Sequence, residues 1–310
     1  MPSKILLAII RRFVKTLLLF AGIALFIFFL VRIVPGDVVE LLALESGMTE
    51  SMKQHLRQEL GLNQNVIIQF YIWLQGLIHL DLGNSLRFHR PVLELFLYSL
   101  PFTLRFAAIS SCVGILLGIT VAAGAIIWRN KFGGFLVEAL NIWSIAVPTF
   151  CAGFIGIYLM VLRLHWMPLT GNLILPVLVL GVDIAGQVVK PFYEEMQETL
   201  SARFITIARS KGLSHYRIVI RHVIPNSLTV LLALSGLIVA GTLGGSITME
   251  VLFNMPGLGK LAFDAVSGRD YPVVQVLALF IAFAVLCINF LTDVAAIIID
   301  PRLREGRGIS

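Results

Sequence analysis

Arg203, Arg209, Lys211, Arg217 and Arg221 crowd a stretch, Glu198–Ser227, that lies between segments apolar enough to cross a membrane. That density of charge keeps the stretch out of hydrocarbon, so its chemistry is recognition at a membrane surface or on a partner protein. Asp183, Asn289 and Asp293 are a second group, set within otherwise apolar runs. A central Asp costs roughly 2.5–3.5 kcal/mol on membrane-insertion scales, so each of these marks either a solute pathway or a bond between helices. Asp183, alone in its apolar run, is the sharper path candidate, and Asn289 is the second. Patterns for hydrolysis are missing. A phosphate-binding loop would read Gly-x-x-x-x-Gly-Lys-Ser/Thr. The nearest approach, Gly259-Lys260, is followed by Leu261 and has Asn254 where the first Gly should stand. There is no His-Glu-x-x-His and no Gly-x-Ser-x-Gly. The chain is therefore expected to be no enzyme and to carry no catalytic residue, cofactor or metal. His55, His79 and His89 lack ligand spacing and read as solvated surface histidines.

The basic stretch needs a particular backbone. Met196, Leu200, Phe204 and Ile207 recur at helical spacing and predict one amphipathic helix. Gly212 breaks it, because glycine tolerates the angles of a turn. Ser214 can cap a second short helix, with Tyr216, Ile220 and Val223 on one flank and Arg217 and Arg221 on another. Pro225 stands where the next spanning helix begins, a place that tolerates a missing N–H. The product is a helix–turn–helix elbow, over about 194–226, that presents apolar and basic side chains. Taken alone, it also suits an amphipathic hairpin lying on lipid headgroups.

The elbow resembles the cytoplasmic coupling loop, or EAA loop, of ABC-importer permeases, and most closely the peptide/nickel branch. Thr206-Ile207-Ala208 stands at the Glu-Ala-Ala position, Arg209, Lys211, Gly212 and Leu213 follow as in that branch, and Ile224-Pro225 stands for the Leu-Pro. The glutamate of the general pattern is missing. Other motifs agree in order: Pro35-Gly36-Asp37, Leu60-Gly61-Leu62, Asp81-Leu82-Gly83-Asn84-Ser85 and Pro91-Val92. Further on stand Glu250, Phe253 and Pro256-Gly257-Leu258-Gly259, then Arg269-Asp270-Tyr271-Pro272. The chain is thereby identified as resembling an inner-membrane permease subunit of a bacterial ABC importer. The resemblance implies that Phe204, Thr206, Ile207, Ala208, Arg209, Lys211, Gly212, Leu213, Tyr216, Arg217, Ile220 and Arg221 form the surface that meets a separate ATPase. It also implies a homologous second permease, two ATP-binding subunits and an external solute-binding protein. Peptides, nickel, opines and other metal chelates are all carried in this branch, and the permease sequence leaves the choice open.

Composition agrees with a membrane domain. The 310 residues are 58% hydrophobic and 14% charged, with mean hydropathy +0.91; soluble domains carry about 25% charge. The net charge of +6 needs no nucleic acid, since basic cytoplasmic loops supply it. Cys112, Cys151 and Cys287 fall in apolar runs and read as small buried hydrophobes.

The expected fold is all-α with six transmembrane helices. The first runs from Ile9 to Leu30, within an N-terminal unit of residues 1–34. A small external cap (35–97) follows, and a core (98–299) carries five further spans. These are Phe102–Trp128, Phe135–Leu162 with a kink at Pro148, Leu173–Val189, Leu228–Phe253 and Val273–Ile299. Gly114, Gly118 and Gly124 in the second span suggest close helix packing. A tail (300–310) closes the chain. Basic residues concentrate on segments that share one side with the elbow, placing both termini in the cytoplasm. A channel or ion-coupled transporter independent of ATP is the alternative function, and it leaves the elbow without a purpose.

Overall fold

The computed structural model describes residues 2–33, 39, 49–59, 63–129, 131–169 and 171–299. Pro35-Gly36-Asp37, Leu60-Gly61-Leu62 and the tail at 300–310 lie outside the described residues, as does the Asp293 side chain. The described chain is helical, with one isolated antiparallel bridge between Asn84 and Pro91. The helices are α1 (Pro2–Ile33), α2 (Glu50–Glu59), α3 (Val66–Ile78), α4 (Val92–Trp128), α5 (Lys131–Ala146) and α6 (Thr149–Gly156, continued by a π-helical turn, Ile157–Arg163). They continue with α7 (Ile174–Ser201), α8 (Arg203–Ser210), α9 (His215–Ile218, continued by a π-helical turn, Val219–Val223), α10 (Ile224–Leu252), α11 (Leu258–Ser267) and α12 (Tyr271–Ile299).

Four helices are long and apolar enough to cross a membrane unaided: α1, α4, α7 and α12. Two bent stretches bring the number to six when each is taken as one span: α5 with α6, and His215–Thr242, which runs from α9 into α10 and bends by 48° between Leu228 and Val230. α4 and α7 share the most extensive packing. Small residues make it possible. A Cβ on Gly114 or Gly118 would collide with Ile184 or Val188 of α7. Gly124, by contrast, has the ring of its own helix's Trp128 as its nearest neighbour. α5 lies on the same helix α7, α10 packs against α4, α7 and α12, and α1 joins through α12. Phe106, Ile184, Val188, Val189, Phe192, Met196 and Met249 form the centre of the apolar core. Exposed apolar side chains, among them Phe13, Leu18, Phe26, Leu116, Phe135, Ile145 and Leu237, coat the outside, as a bundle surrounded by acyl chains requires.

The structure corrects several sequence expectations. The third span is broken, not kinked. Pro148 (φ −55°, ψ 137°) ends α5 and opens α6, and the two axes meet at 104°. The residue before a proline is driven out of the helical region, so the chain turns there. The fourth span does not stop at Lys190-Pro191; α7 runs through Pro191 to Ser201. Val188, Val189 and Phe192, all fully buried around it, hold the helix together against a proline penalty of about 3 kcal/mol. α4 starts at Val92, with Pro101 inside it, and not at Phe102. Finally, Cys112 is exposed on α4, while Cys151 and Cys287 are half-buried; all three are free thiols.

Candidate functional site

The elbow begins where α7 ends. Ala202 adopts an extended conformation (ψ 147°) and α8 restarts at Arg203. This splits the single amphipathic helix expected from sequence. Met196 is fully buried, whereas Phe204 and Ile207, 44% and 58% exposed, project from a separate helix. α8 is seated by its other face through buried Ile205 and Ala208. Its end is a Schellman turn. Gly212 takes φ +78°, its N–H donates to the Arg209 carbonyl, and the Leu213 N–H donates to the Ala208 carbonyl. A side chain at Gly212 would meet no atom within 4 Å, so the backbone angle, and not space, demands glycine. Leu213 turns back onto the core.

Ser214 caps α9 as its type predicts, its hydroxyl accepting from the Arg217 N–H at 3.4 Å. Ile218, Val219 and Val223 anchor this second limb in the core. Val223 therefore does not share the outward flank with Tyr216 and Ile220, which are 61% and 43% exposed. The π-helical turn at Val219–Val223 shifts the register between them. Pro225 falls in the first turn of α10. Two bonds fix the limbs to the bundle. His215 Nε2 lies 2.9 Å from the Ile126 carbonyl at the end of α4, and the buried Thr199 and Ser227 hydroxyls pair at 3.2 Å. Neither was visible in the spacing of residues. Thr206, Arg209, Lys211, Arg217 and Arg221 are exposed, and none forms an ion pair among the described residues.

α10 spans 29 residues, about 43 Å at 1.5 Å per residue, so its far end lies well away from the elbow. There Glu250 is fully buried. Its carboxyl accepts from Thr103 Oγ1 of α4 at 2.7 Å, from the Gly259 N–H at 2.6 Å and from the Lys260 N–H at 3.2 Å. The same Thr103 oxygen accepts from the Leu258 N–H at 2.7 Å. An acidic group thus sits at the start of α11, where free N–H groups and the helix dipole favour it. The chain wraps the carboxyl so closely that a Cβ at Gly257 or Gly259 would strike it. Asp270, also fully buried, accepts from the Ser85 hydroxyl and from the N–H groups of Leu86 (3.2 Å) and Arg87 (3.3 Å). Motifs far apart in sequence, Asp81–Ser85 and Arg269–Pro272, therefore meet in one junction.

Asp183 is buried in the first half of α7. One carboxylate oxygen accepts from Gln187 Nε2 at 3.1 Å and from Thr149 Oγ1 at 3.4 Å, the first residue of α6 after the break. Asn289 is exposed on α12 and its side chain makes no hydrogen bond among the described residues. The structure does not join it to Asp183.

The family model described as binding-protein-dependent transport system inner membrane component matches residues 114–305, and the model for that family's N-terminal part matches residues 5–107. The chain belongs to this family. It is a permease subunit of an ABC importer, a transport protein and not an enzyme, and such permeases work with ATPase and solute-binding subunits. The permease is 32% identical over 312 residues to a probable peptide ABC transporter permease of Sinorhizobium fredii, covering 96% of this chain and 98% of that one. It is 31% identical over 325 residues to a probable D,D-dipeptide transport system permease of Escherichia coli, covering 94% and 95%. Its fold is similar to that of the MetNI methionine ABC transporter in an inward-facing conformation. There the TM-score is 0.57 at 16% identity, over 66% of this chain and 96% of the other. An amino acid ABC transporter crystallised with histidines gives a TM-score of 0.53 at 18% identity, over 66% and 94%.

Proposed function

We propose that this permease forms half of a translocation pathway for peptides and receives the work of ATP hydrolysis through the elbow formed by α8 and α9. The supporting observation is the elbow itself. Phe204, Ile207, Tyr216 and Ile220 are exposed beside Arg209, Lys211, Arg217 and Arg221, which form no ion pair among the described residues, while buried Ile205, Ala208, Ile218 and Val219 lock the backbone in place. Apolar anchors on a rigid short helix, ringed by cations, suit a groove with an acidic rim. The peptide reading is supported by the relatives' printed names, and metal-chelate solutes remain the second reading. A homologous second permease completes the pathway, and two ATP-binding subunits take the two elbows. The distribution of basic residues supports placing both termini on the elbow's side, in the cytoplasm.

Gly212→Val tests the coupling reading. A β-branched residue resists φ +78°, at a cost of about 1–2 kcal/mol, and re-aims Tyr216, Arg217 and Ile220. The spanning helices keep their apolar lengths, so membrane level should stay near wild type while ATPase co-purification and uptake are lost. Normal ATPase association together with normal uptake in this variant would remove the elbow from the mechanism.

A further inference from the structure

Between the α4–α5 turn and the inner side of the elbow lies a cavity of about 410 Å³. That is within the usual range for small-molecule sites, roughly 300–1,000 Å³. Arg129, Lys131, Arg209 and His215 line it with Tyr193 and Gln197. His215 is already committed to the Ile126 carbonyl. Arg129, Lys131 and Arg209 have no ion-pair partner among the described residues. The acidic residue of α5, Glu138, is taken by Lys190 at 3.1 Å, and the carboxylates of α7, Glu194, Glu195 and Glu198, do not line the cavity. Cations converging on one concavity repel each other unless an anion neutralises them, and two arginines with a lysine match the oxygens of a phosphate.

The surroundings identify the source of that phosphate. Trp128, Phe132 and Phe135, on either side of Arg129 and Lys131, are 75%, 68% and 67% exposed. Exposed aromatics next to basic residues at the end of a spanning helix mark the level of lipid headgroups. Basic pockets between helices at this level recognise anionic lipid headgroups. Ala125, Ile126 and Leu200 add an apolar wall to the same cavity. We propose that the cavity binds the phosphate of an anionic phospholipid from the leaflet on the elbow's side, and so ties the elbow to the α4–α5 turn. The site stands whether or not the elbow is the coupling surface.

The test uses the assembled transporter, purified in neutral detergent and examined by native mass spectrometry. Phosphatidylglycerol or phosphatidylcholine is added, and ATPase co-purification is measured separately. Wild type should retain phosphatidylglycerol in preference to phosphatidylcholine. R129Q/K131Q should retain it about 25-fold less, from roughly a five-fold factor for each basic residue at an anionic surface. R129K/K131R, which keeps both charges, should restore retention. No preference for the anionic lipid, or equal retention by R129Q/K131Q, would overturn the proposal. Displacement of lipid by excess inorganic phosphate would keep the phosphate chemistry but overturn the lipid as its source. Unchanged lipid retention with loss of the ATPase subunits would assign the cavity to the partner's acidic rim and overturn it as well.

Discussion

The two ends of α10 treat charge in opposite ways. At the elbow, cations are displayed: Arg209, Lys211, Arg217 and Arg221 are exposed, and apolar side chains do the anchoring. At the far end, carboxyls are enclosed: Glu250 and Asp270 are fully buried and accept backbone N–H groups from turns they hold in shape. Under the proposed coupling role of the elbow, the difference separates recognition from architecture. An exposed charge in water contributes little to stability and is free to meet a partner. A buried carboxyl is stable only when donors surround it, and those donors are then orphaned if it is removed.

The largest expected effect comes from breaking the enclosed end. Glu250→Ala leaves the Gly259 and Lys260 N–H groups and the Thr103 hydroxyl without their acceptor. Each orphaned buried donor costs about 1–3 kcal/mol. The variant should therefore fail to accumulate in the membrane or lose thermal stability in detergent. The same measurement on R217A/R221A should differ from wild type by no more than about 0.5 kcal/mol, as for surface changes generally, while ATPase co-purification falls. Equal stability losses at the two ends would abolish the distinction.

Asp183 tests a middle case, a buried carboxylate with only side-chain donors. If it serves the solute, Asp183→Asn should lower uptake while membrane level and ATPase association stay normal. Loss of the protein itself would place it with Glu250 as a tie, here between α7 and the broken α5–α6 span. The most local effect is expected at Ser214. Removing its hydroxyl with Ser214→Ala costs about 1 kcal/mol at a helix N-terminus. Because α9 is otherwise held by Ile218 and Val219, the loss should appear as faster amide exchange confined to α9, with bundle stability unchanged. Global destabilisation in that variant would show that the elbow is as deeply integrated as the far end.

Much of the elbow was legible in the sequence because its devices are local. Gly212 needs a positive φ, Ser214 caps three residues ahead, and Pro225 occupies a first helical turn; each depends on residue type and a short spacing. The number of spans followed from apolar length. What spacing misjudged was the helix around Met196–Ile207. A 3.6-residue period cannot reveal the extended residue, Ala202, that separates its buried half from its exposed half.

Sequence alone therefore determined the membrane class, the six apolar spans, the absence of a phosphate-binding loop and the turn chemistry of the elbow, since each is written in composition or short-range pattern. Only the tertiary structure decided which polar groups meet. It brings Glu250 to Thr103, Asp270 to Ser85 and Thr149 to Asp183. It also carries α7 through Pro191 and folds the third span to 104°. Those outcomes depend on neighbours supplied by distant parts of the chain. A buried donor or carboxyl takes whatever partner the packed helices place within reach, and neither its residue type nor its local spacing names that partner.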